Sequence, residues 1–365
     1  MSIKPHGRTI IKPFVALLLT LALVIGFLGS ASAQAAPDRQ RPERLRHGIV
    51  SSSDDNVSIA AERPWTTEEM VNAQDYPAPA LATDVALELV DEISAARPTG
   101  EPGEVPGTLP QVDEDGDSAP ISPGAPISPG APISPDATEV PSYGTFPYST
   151  VGKVFFKQYG SSYVCSAAVI KNRSIWTAGH CVHAGNGSSG GWSTDVIFVP
   201  QYRNGSAPLG QWTVSQLWTT SDWYYNGNPD GLDHDYAGGR INDLNGQAIG
   251  SRTGILGFKY NQSYSATYRA VGYPAASPFD GQRMWYCNSS FRRTYIGSPA
   301  TFSISCDMTG GSSGGPWIRD FQSGSSSGSN YLNGNTSFSA SLYPNELFSP
   351  YFNSDAKRFY DGLPS

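Results

Sequence analysis

Met308-Thr309-Gly310-Gly311-Ser312-Ser313-Gly314-Gly315-Pro316-Trp317 is the stretch on which the reading of this chain turns. A serine sits among glycines and the run is stopped by a proline. Glycines admit backbone conformations closed to other residues and let a ligand come close to the main chain. A serine hydroxyl becomes a useful nucleophile only with a base beside it and with donors aimed at the oxyanion it creates. In a tight glycine turn the amides of Gly311 and Ser313 can supply those donors. Gly-Ser runs are also common as linkers, and Ser325-Ser326-Ser327-Gly328-Ser329 reads as one. The stretch at Ser313 differs, because an apolar segment precedes it and Pro-Trp follows.

The segment resembles the Gly-x-Ser-Gly-Gly-Pro signature of chymotrypsin-fold serine proteases. It also satisfies Gly-x-Ser-x-Gly, the nucleophile elbow of α/β-hydrolases. Chain order separates the two. An α/β-hydrolase places its histidine after the serine, and here the five histidines are His6, His47, His180, His183 and His234. The order His, Asp, Ser of the chymotrypsin fold is available.

Upstream, Ser174-Ile175-Trp176-Thr177-Ala178-Gly179-His180-Cys181 has the form of a strand end and a sharp turn that presents His180. An imidazole there can take the serine proton and return it to a leaving amine. The stretch resembles the Thr-Ala-Gly-His-Cys box of the same proteases. His183 makes a His-x-x-His pair with His180, but no glutamate or third ligand accompanies it for zinc. The resemblance implies a carboxylate partner for His180. Asp235-Tyr236-Ala237 fits the family's pattern, and Asp233, two residues earlier, does not. Gly238-Gly239 follows where the family has aliphatics, which weakens a strand there. The acids Asp230, Asp233 and Asp235 lack the spacing and terminal glutamate of an EF-hand.

Four cysteines in an exported chain allow three pairings. The resemblance implies Cys165–Cys181 beside the histidine, with Cys287–Cys306 as the second bridge. It also implies an oxyanion hole from Gly311 and Ser313, and no cofactor or metal. Gly246–Gly250, Gly254–Gly257, Val271-Gly272-Tyr273-Pro274 and Thr309-Gly310-Gly311 are similar to the glutamyl-endopeptidase branch. Asp307, Thr309 and Ser337 are then the expected substrate contacts. Asp307, six residues before Ser313, stands where trypsin-like members carry the acid that receives Lys or Arg. The glutamyl branch instead implies an acidic preference, yet no histidine follows Ser313 to serve it. Ser312 replaces the aspartate that binds the new N-terminus in trypsin-like zymogens. The oxyanion loop is therefore expected to be set by its own hydrogen bonds.

Charge divides the 365 residues into three. Residues 1–33 carry +3, 34–139 carry −14 and 140–365 carry +3, which total −8. Lys4, Arg8 and Lys12, the apolar run Phe14–Leu28 and Ala31-Ser32-Ala33 are the three parts of a secretory signal peptide over 1–33. Residues 34–139 read as an acidic, proline-rich, largely irregular propeptide and linker. It carries a capping box at Thr66–Glu69, an amphipathic helix from about Ala80 to Ala96, and a period-six Ala-Pro-Ile-Ser-Pro-Gly repeat forming a polyproline spacer. Glu139, the leader's last acid, precedes Val140-Pro141 and suits self-processing by a glutamyl enzyme.

Residues 140–365 hold short β-rich runs between turn residues. The expected fold is all-β: two six-stranded antiparallel β-barrels of the chymotrypsin type, with a C-terminal helix at Ser354–Gly362. The chain reads as a secreted, extracellular, monomeric serine endopeptidase acting on proteins or peptides. Its partner before activation is its own propeptide, which blocks the cleft or assists folding. There is no large basic face for nucleic acid and no membrane segment after signal cleavage. Two alternatives are a catalytically inactive binding module on the same fold and a secreted serine esterase.

Overall fold

Residues that alternate in facing along a strand can serve two cores at once. The computed structural model, which describes residues 48–82, 100–111, 134–325 and 328–365, shows this throughout its first sheet. Before residue 140 the strands are β1 (Ile49–Ser51), β2 (Gln74–Asp75), β3 (Ala80–Leu81), β4 (Gly103–Val105) and β5 (Ser134–Glu139). The next six are β6 (Val151–Gln158), β7 (Ser161–Lys171), β8 (Ser174–Thr177), β9 (Thr194–Pro200), β10 (Trp212–Thr220) and β11 (Ala237–Ile241). The remainder are β12 (Gly257–Tyr260), β13 (Thr267–Gly272), β14 (Trp285–Thr294), β15 (Phe302–Ser305), β16 (Pro316–Arg319), β17 (Tyr331–Asn335), β18 (Phe338–Ala340) and β19 (Glu346–Ser349).

Strands β6 to β11 pair in the order β10-β11-β8-β7-β6-β9, and β9 pairs back to β10, closing a six-stranded antiparallel barrel. Val154, Phe156, Ala167, Val169, Val196 and Phe198 fill one core with Trp212 and Leu217. Their alternates Phe155, Val164, Ala168, Ile170, Ile197 and Val199 turn outward into a second core with Trp176, Tyr236, Phe258 and Phe352. The second sheet runs β18-β19-β15-β14-β13-β16-β17-β12 and is consistent with the second barrel of the expected fold. Its β12–β17 pair is parallel, a departure from uniform antiparallel pairing.

The C-terminal helix Ser354–Gly362 forms as the sequence indicates. Asn353 caps it by accepting from the amides of Asp355 and Ala356, and Ala356, Phe359 and Tyr360 make its buried face. Against expectation, Gly238 and Gly239 lie inside a regular strand. A Cβ on Gly238 would meet Leu363 at 2.6 Å, and one on Gly239 would meet Val214 at 2.9 Å. The glycines make room for neighbouring side chains.

The segment before residue 140 adds its strands to both sheets. β1 pairs with β10, β2 with β7, β3 with β18, β4 with β12 and β5 with β14. The capping box is present: Thr66 caps the helix Thr67–Asn72, and Glu69 reaches back to the Thr66 amide. Ala80 and Leu81, expected to begin a helix, form β3, because their backbone pairs with Ser339 and Ala340. The rest of that expected helix up to Ala96, the signal peptide and most of the repeat lie outside the described residues. Among the described residues no helix is long and apolar enough to cross a membrane.

Candidate active site

Strand β8 ends at Thr177, and a 3-10 turn, Gly179–Cys181, presents His180. Glycine is required before it: a Cβ there would lie 2.7 Å from Trp223 and 2.9 Å from Asp235 Oδ1. Asp235 follows a 3-10 turn, Leu232–His234, and is fully buried. Its Oδ1 accepts the His180 amide at 2.8 Å, and its Oδ2 lies 2.7 Å from His180 Nδ1. An ionised carboxylate only accepts, so this pairing puts the imidazole proton on Nδ1 and leaves Nε2 as an acceptor. The Ser337 hydroxyl donates to Asp235 Oδ2, and Asn335 Nδ2 donates to the Asp235 carbonyl at 3.2 Å.

The serine loop is fastened from several sides. Gly311 and Gly314 adopt φ of +89° and +78°. A Cβ on Gly311 would meet the Tyr273 carbonyl at 2.7 Å, so glycine serves there twice over. The Gly310 carbonyl accepts from the Ala275 amide at 2.6 Å. In a trans peptide the Gly311 N–H then points to the opposite side. Neither that amide nor the Ser313 amide has an acceptor among the described residues. Ser166 bridges the loop, donating from Oγ to the Gly311 carbonyl at 2.9 Å while its amide donates to the Ser313 carbonyl at 2.7 Å. The buried Ser312 hydroxyl donates to the Thr309 carbonyl at 2.6 Å, a local bond that needs no charged partner.

His180 and Ser313 are both buried, and neither His180 Nε2 nor Ser313 Oγ has a hydrogen-bond partner among the described residues. The two atoms are therefore not bonded to each other. Tyr76 lies against His180, its ring stacked at 5.9 Å and 21°, and its hydroxyl donates to Gln158 Oε1. Asp75 beside it comes within 2.6 Å of where a Gly310 Cβ would stand.

The residues expected to contact substrate also bond within the chain. Ser337 gives its hydroxyl to Asp235. Thr309 Oγ1 is engaged with both the amide and the carbonyl of Ala276, at 3.1 and 2.8 Å. Asp307 Oδ1 accepts the amide of Ala137 in β5 at 2.7 Å. Asp233 lies apart from His180, bonded to His234 Nδ1 and the Ser298 amide, both at 2.9 Å. His183 stacks on Tyr224 at 4.2 Å, donates from Nε2 to the Ser188 carbonyl and accepts the Gly185 amide at Nδ1. Burial pushes its pKa down to about 4, which keeps it neutral and structural. Sequence reasoning missed Ser337's service to Asp235 and the tie made by Ser166, since neither has a local motif.

Cys165–Cys181 and Cys287–Cys306 are disulfides with Cα atoms 6.2 and 5.7 Å apart. Among the described residues two groups of three donors stand close enough to hold an ion: Cys165, His180 and Cys181, and Cys287, Cys306 and Asp307. In each, the two sulfurs are bonded to one another, so no thiolate is on offer.

No model of a known protein family matches the sequence. A curated relative, the extracellular metalloprotease of Bacillus subtilis (strain 168), is 25% identical over 209 residues, covering 55% of this chain and 61% of that protein. The match thus spans less than two thirds of that relative's length. Among solved structures, the protease Anisep from Arthrobacter nicotinovorans is 38% identical with a TM-score of 0.52, over 58% of this chain and 94% of that one. A thermostable serine protease, AL20, from an extremophilic microorganism is 34% identical with a TM-score of 0.52, over 58% and 95%. With relatives this similar matched over nearly their whole length, and with a closed barrel carrying the histidine box beside the serine loop, the chain belongs to the chymotrypsin-fold serine proteases.

Proposed function

We propose that this protein is a secreted serine endopeptidase, made with a signal peptide (1–33), a leader (34–139) and a protease domain (140–365). The observation that carries the reading is the buried His180–Asp235 pair, with Asp235 Oδ2 2.7 Å from His180 Nδ1, together with a buried Ser313 Oγ and His180 Nε2 that have no partner among the described residues. Ser313 Oγ attacks the peptide carbonyl carbon while His180 Nε2 takes its proton. The oxyanion that forms is held by the Gly311 and Ser313 amides. Asp235 fixes the imidazole and balances its positive charge. His180 then passes the proton to the leaving nitrogen as the C–N bond breaks, and water hydrolyses the acyl-enzyme by the same steps.

The name of the Bacillus relative brings a metal-dependent reading. The residues here do not fit it: both candidate donor groups spend two of three members on a disulfide, and His180 Nδ1 is held by Asp235. The test is covalent labelling of the leader-free enzyme with a fluorophosphonate, alongside peptide and ester turnover. The expected result is labelling and peptide hydrolysis, both lost in Ser313→Ala and unaffected by a chelator. Near-normal hydrolysis by Ser313→Ala sinks the reading.

A further inference from the structure

We propose that residues 74–81 are a built-in inhibitor lying in the substrate cleft with reversed chain polarity. This rests on the catalytic reading above and specifies how its site is shut. The segment touches both sides of the cleft. Gln74 and Asp75 pair with Tyr163 and Val164 of β7, and the Tyr76 amide donates to the Val164 carbonyl at 3.2 Å. Ala80 and Leu81 pair with Ser339 and Ala340 of β18. There Ser339 and Ser341 donate to the carbonyls of Pro79 and Leu81, at 3.1 and 3.0 Å. Between these pairings Tyr76 covers His180. Both pairings are parallel.

The chemistry fixes which way a substrate must run. Its acyl half stays on Ser313, and its leaving nitrogen takes a proton from His180. His180 stands at the end of β8 and is tied to β7 through Cys181–Cys165, so the leaving half lies along β7. The acyl half lies along the second sheet, where Ser337 leads into β18. A productive chain thus has its N-terminal half on β18 and its C-terminal half on β7. The leader has the opposite: its earlier residues on β7 and its later ones on β18. Reversing a chain exchanges antiparallel for parallel pairing, so substrates should pair antiparallel at both edges.

A carbonyl offered to Ser313 from the reversed chain has its nitrogen on the β18 side, away from His180. The leaving nitrogen is not protonated and the bond survives. Pro77 and Pro79 add a second protection by placing imides at the centre of the segment. The segment and the chain leading into it are well anchored. Leu81, Trp65, Met70 and Ile59 are buried, and Asp55 Oδ2 accepts from Trp192 Nε1 at 2.6 Å and the Tyr224 hydroxyl at 2.8 Å.

The experiment uses the full chain and follows fluorophosphonate labelling of the uncut band on a gel. Wild type should label at least about tenfold more slowly than Tyr76→Ala or Leu81→Asp, the closed segment having to open first. If Leu81→Asp does not fold, Tyr76→Ala carries the comparison. Equal labelling of wild type and variants overturns the inhibitor proposal while leaving the catalytic reading intact. Absence of labelling in every form, including leader-free enzyme made by limited proteolysis, overturns the catalytic reading itself. A Pro77→Ala, Pro79→Ala chain, kept dilute and with no other protease present, should not cut itself within residues 74–81. Cleavage there overturns the reversed polarity.

Discussion

Replacing Asp235 by asparagine removes a charge from the most enclosed part of the site while leaving its shape nearly unchanged. Both carboxylate oxygens now receive donors: Oδ1 the His180 amide, and Oδ2 both His180 Nδ1 and the Ser337 hydroxyl. A primary amide offers one acceptor oxygen and two N–H donors. With its nitrogen toward the His180 amide, two buried donors would face each other at a cost of about 1–3 kcal/mol. The other orientation is favoured. It sets the amide nitrogen against His180 Nδ1, which must then present a lone pair. The imidazole proton moves to Nε2, and the ring can no longer accept a proton from Ser313. By analogy with the worked triad the loss is about 10⁴ in kcat, roughly 5.4 kcal/mol of barrier. Peptide turnover by leader-free enzyme measures it, with KM and melting temperature taken on the same samples. A loss below about tenfold refutes the tautomer argument. So does a larger loss in Asp233→Asn, whose carboxylate serves His234 and the Ser298 amide instead.

Three further outcomes are expected. His183 is held neutral with a pKa of about 4 against an ordinary 6.5, so unfolding takes up a proton between those values. Its contribution is present above pH 6.5 and is lost as pH falls towards 4, by up to about 3 kcal/mol. Asp55 is the acid that opposes the shift, and denaturant melts of wild type and His183→Gln should converge at low pH. Replacing Cys165 and Cys181 together by alanine should cost about 3 kcal/mol in the same melts, the loop closed being 16 residues; a change under about 1 kcal/mol counts against it. Because Ser312 is satisfied by Thr309, a domain with a few extra residues before Val140 should react with a fluorophosphonate at close to the rate of one starting there. A silent serine in the extended form would show that a free N-terminus builds the loop.

The serine and histidine boxes were legible because their chemistry demands a local backbone shape, and glycines at Gly179, Gly311 and Gly314 write that shape into sequence. Asp235 was legible only through its neighbours Tyr236 and Ala237. The strand at Gly238-Gly239 was hidden because what it needs is space for Leu363 and Val214, residues far along the chain. The resemblance to trypsin-like and glutamyl-specific proteases implies Asp307, Thr309 and Ser337 as substrate contacts. Their bonds go to Ala137, Ala276 and Asp235, which spacing does not encode. The apolar spacing from Ala80 suggests a helix, but Ala80 and Leu81 pair with the edge of β18 instead, and at these two residues edge pairing overrides a local preference. Lys153 gave no signal at all. It sits buried with its Nζ on the Gly281 carbonyl at 2.8 Å, and burial pushes its pKa down to about 7.

The strand β5 has a bearing on timing. Glu139 lies opposite Trp285, its carboxylate pairs with Arg203 and Arg283 at 2.8 and 3.4 Å, and the Val140 amide donates to the Met284 carbonyl at 2.9 Å. A peptidase reads an extended backbone whose hydrogen-bonding groups are free. Any enzyme that separates residue 139 from 140 must therefore wait for this strand to unzip from β14. When opening and closing are fast, the rate of such a cut follows the fraction of molecules momentarily unzipped. The strand then works as a clock whose period is set by its own pairing, so that loosening Arg203 or Arg283 would hasten any such cut without touching a single atom around His180 or Ser313.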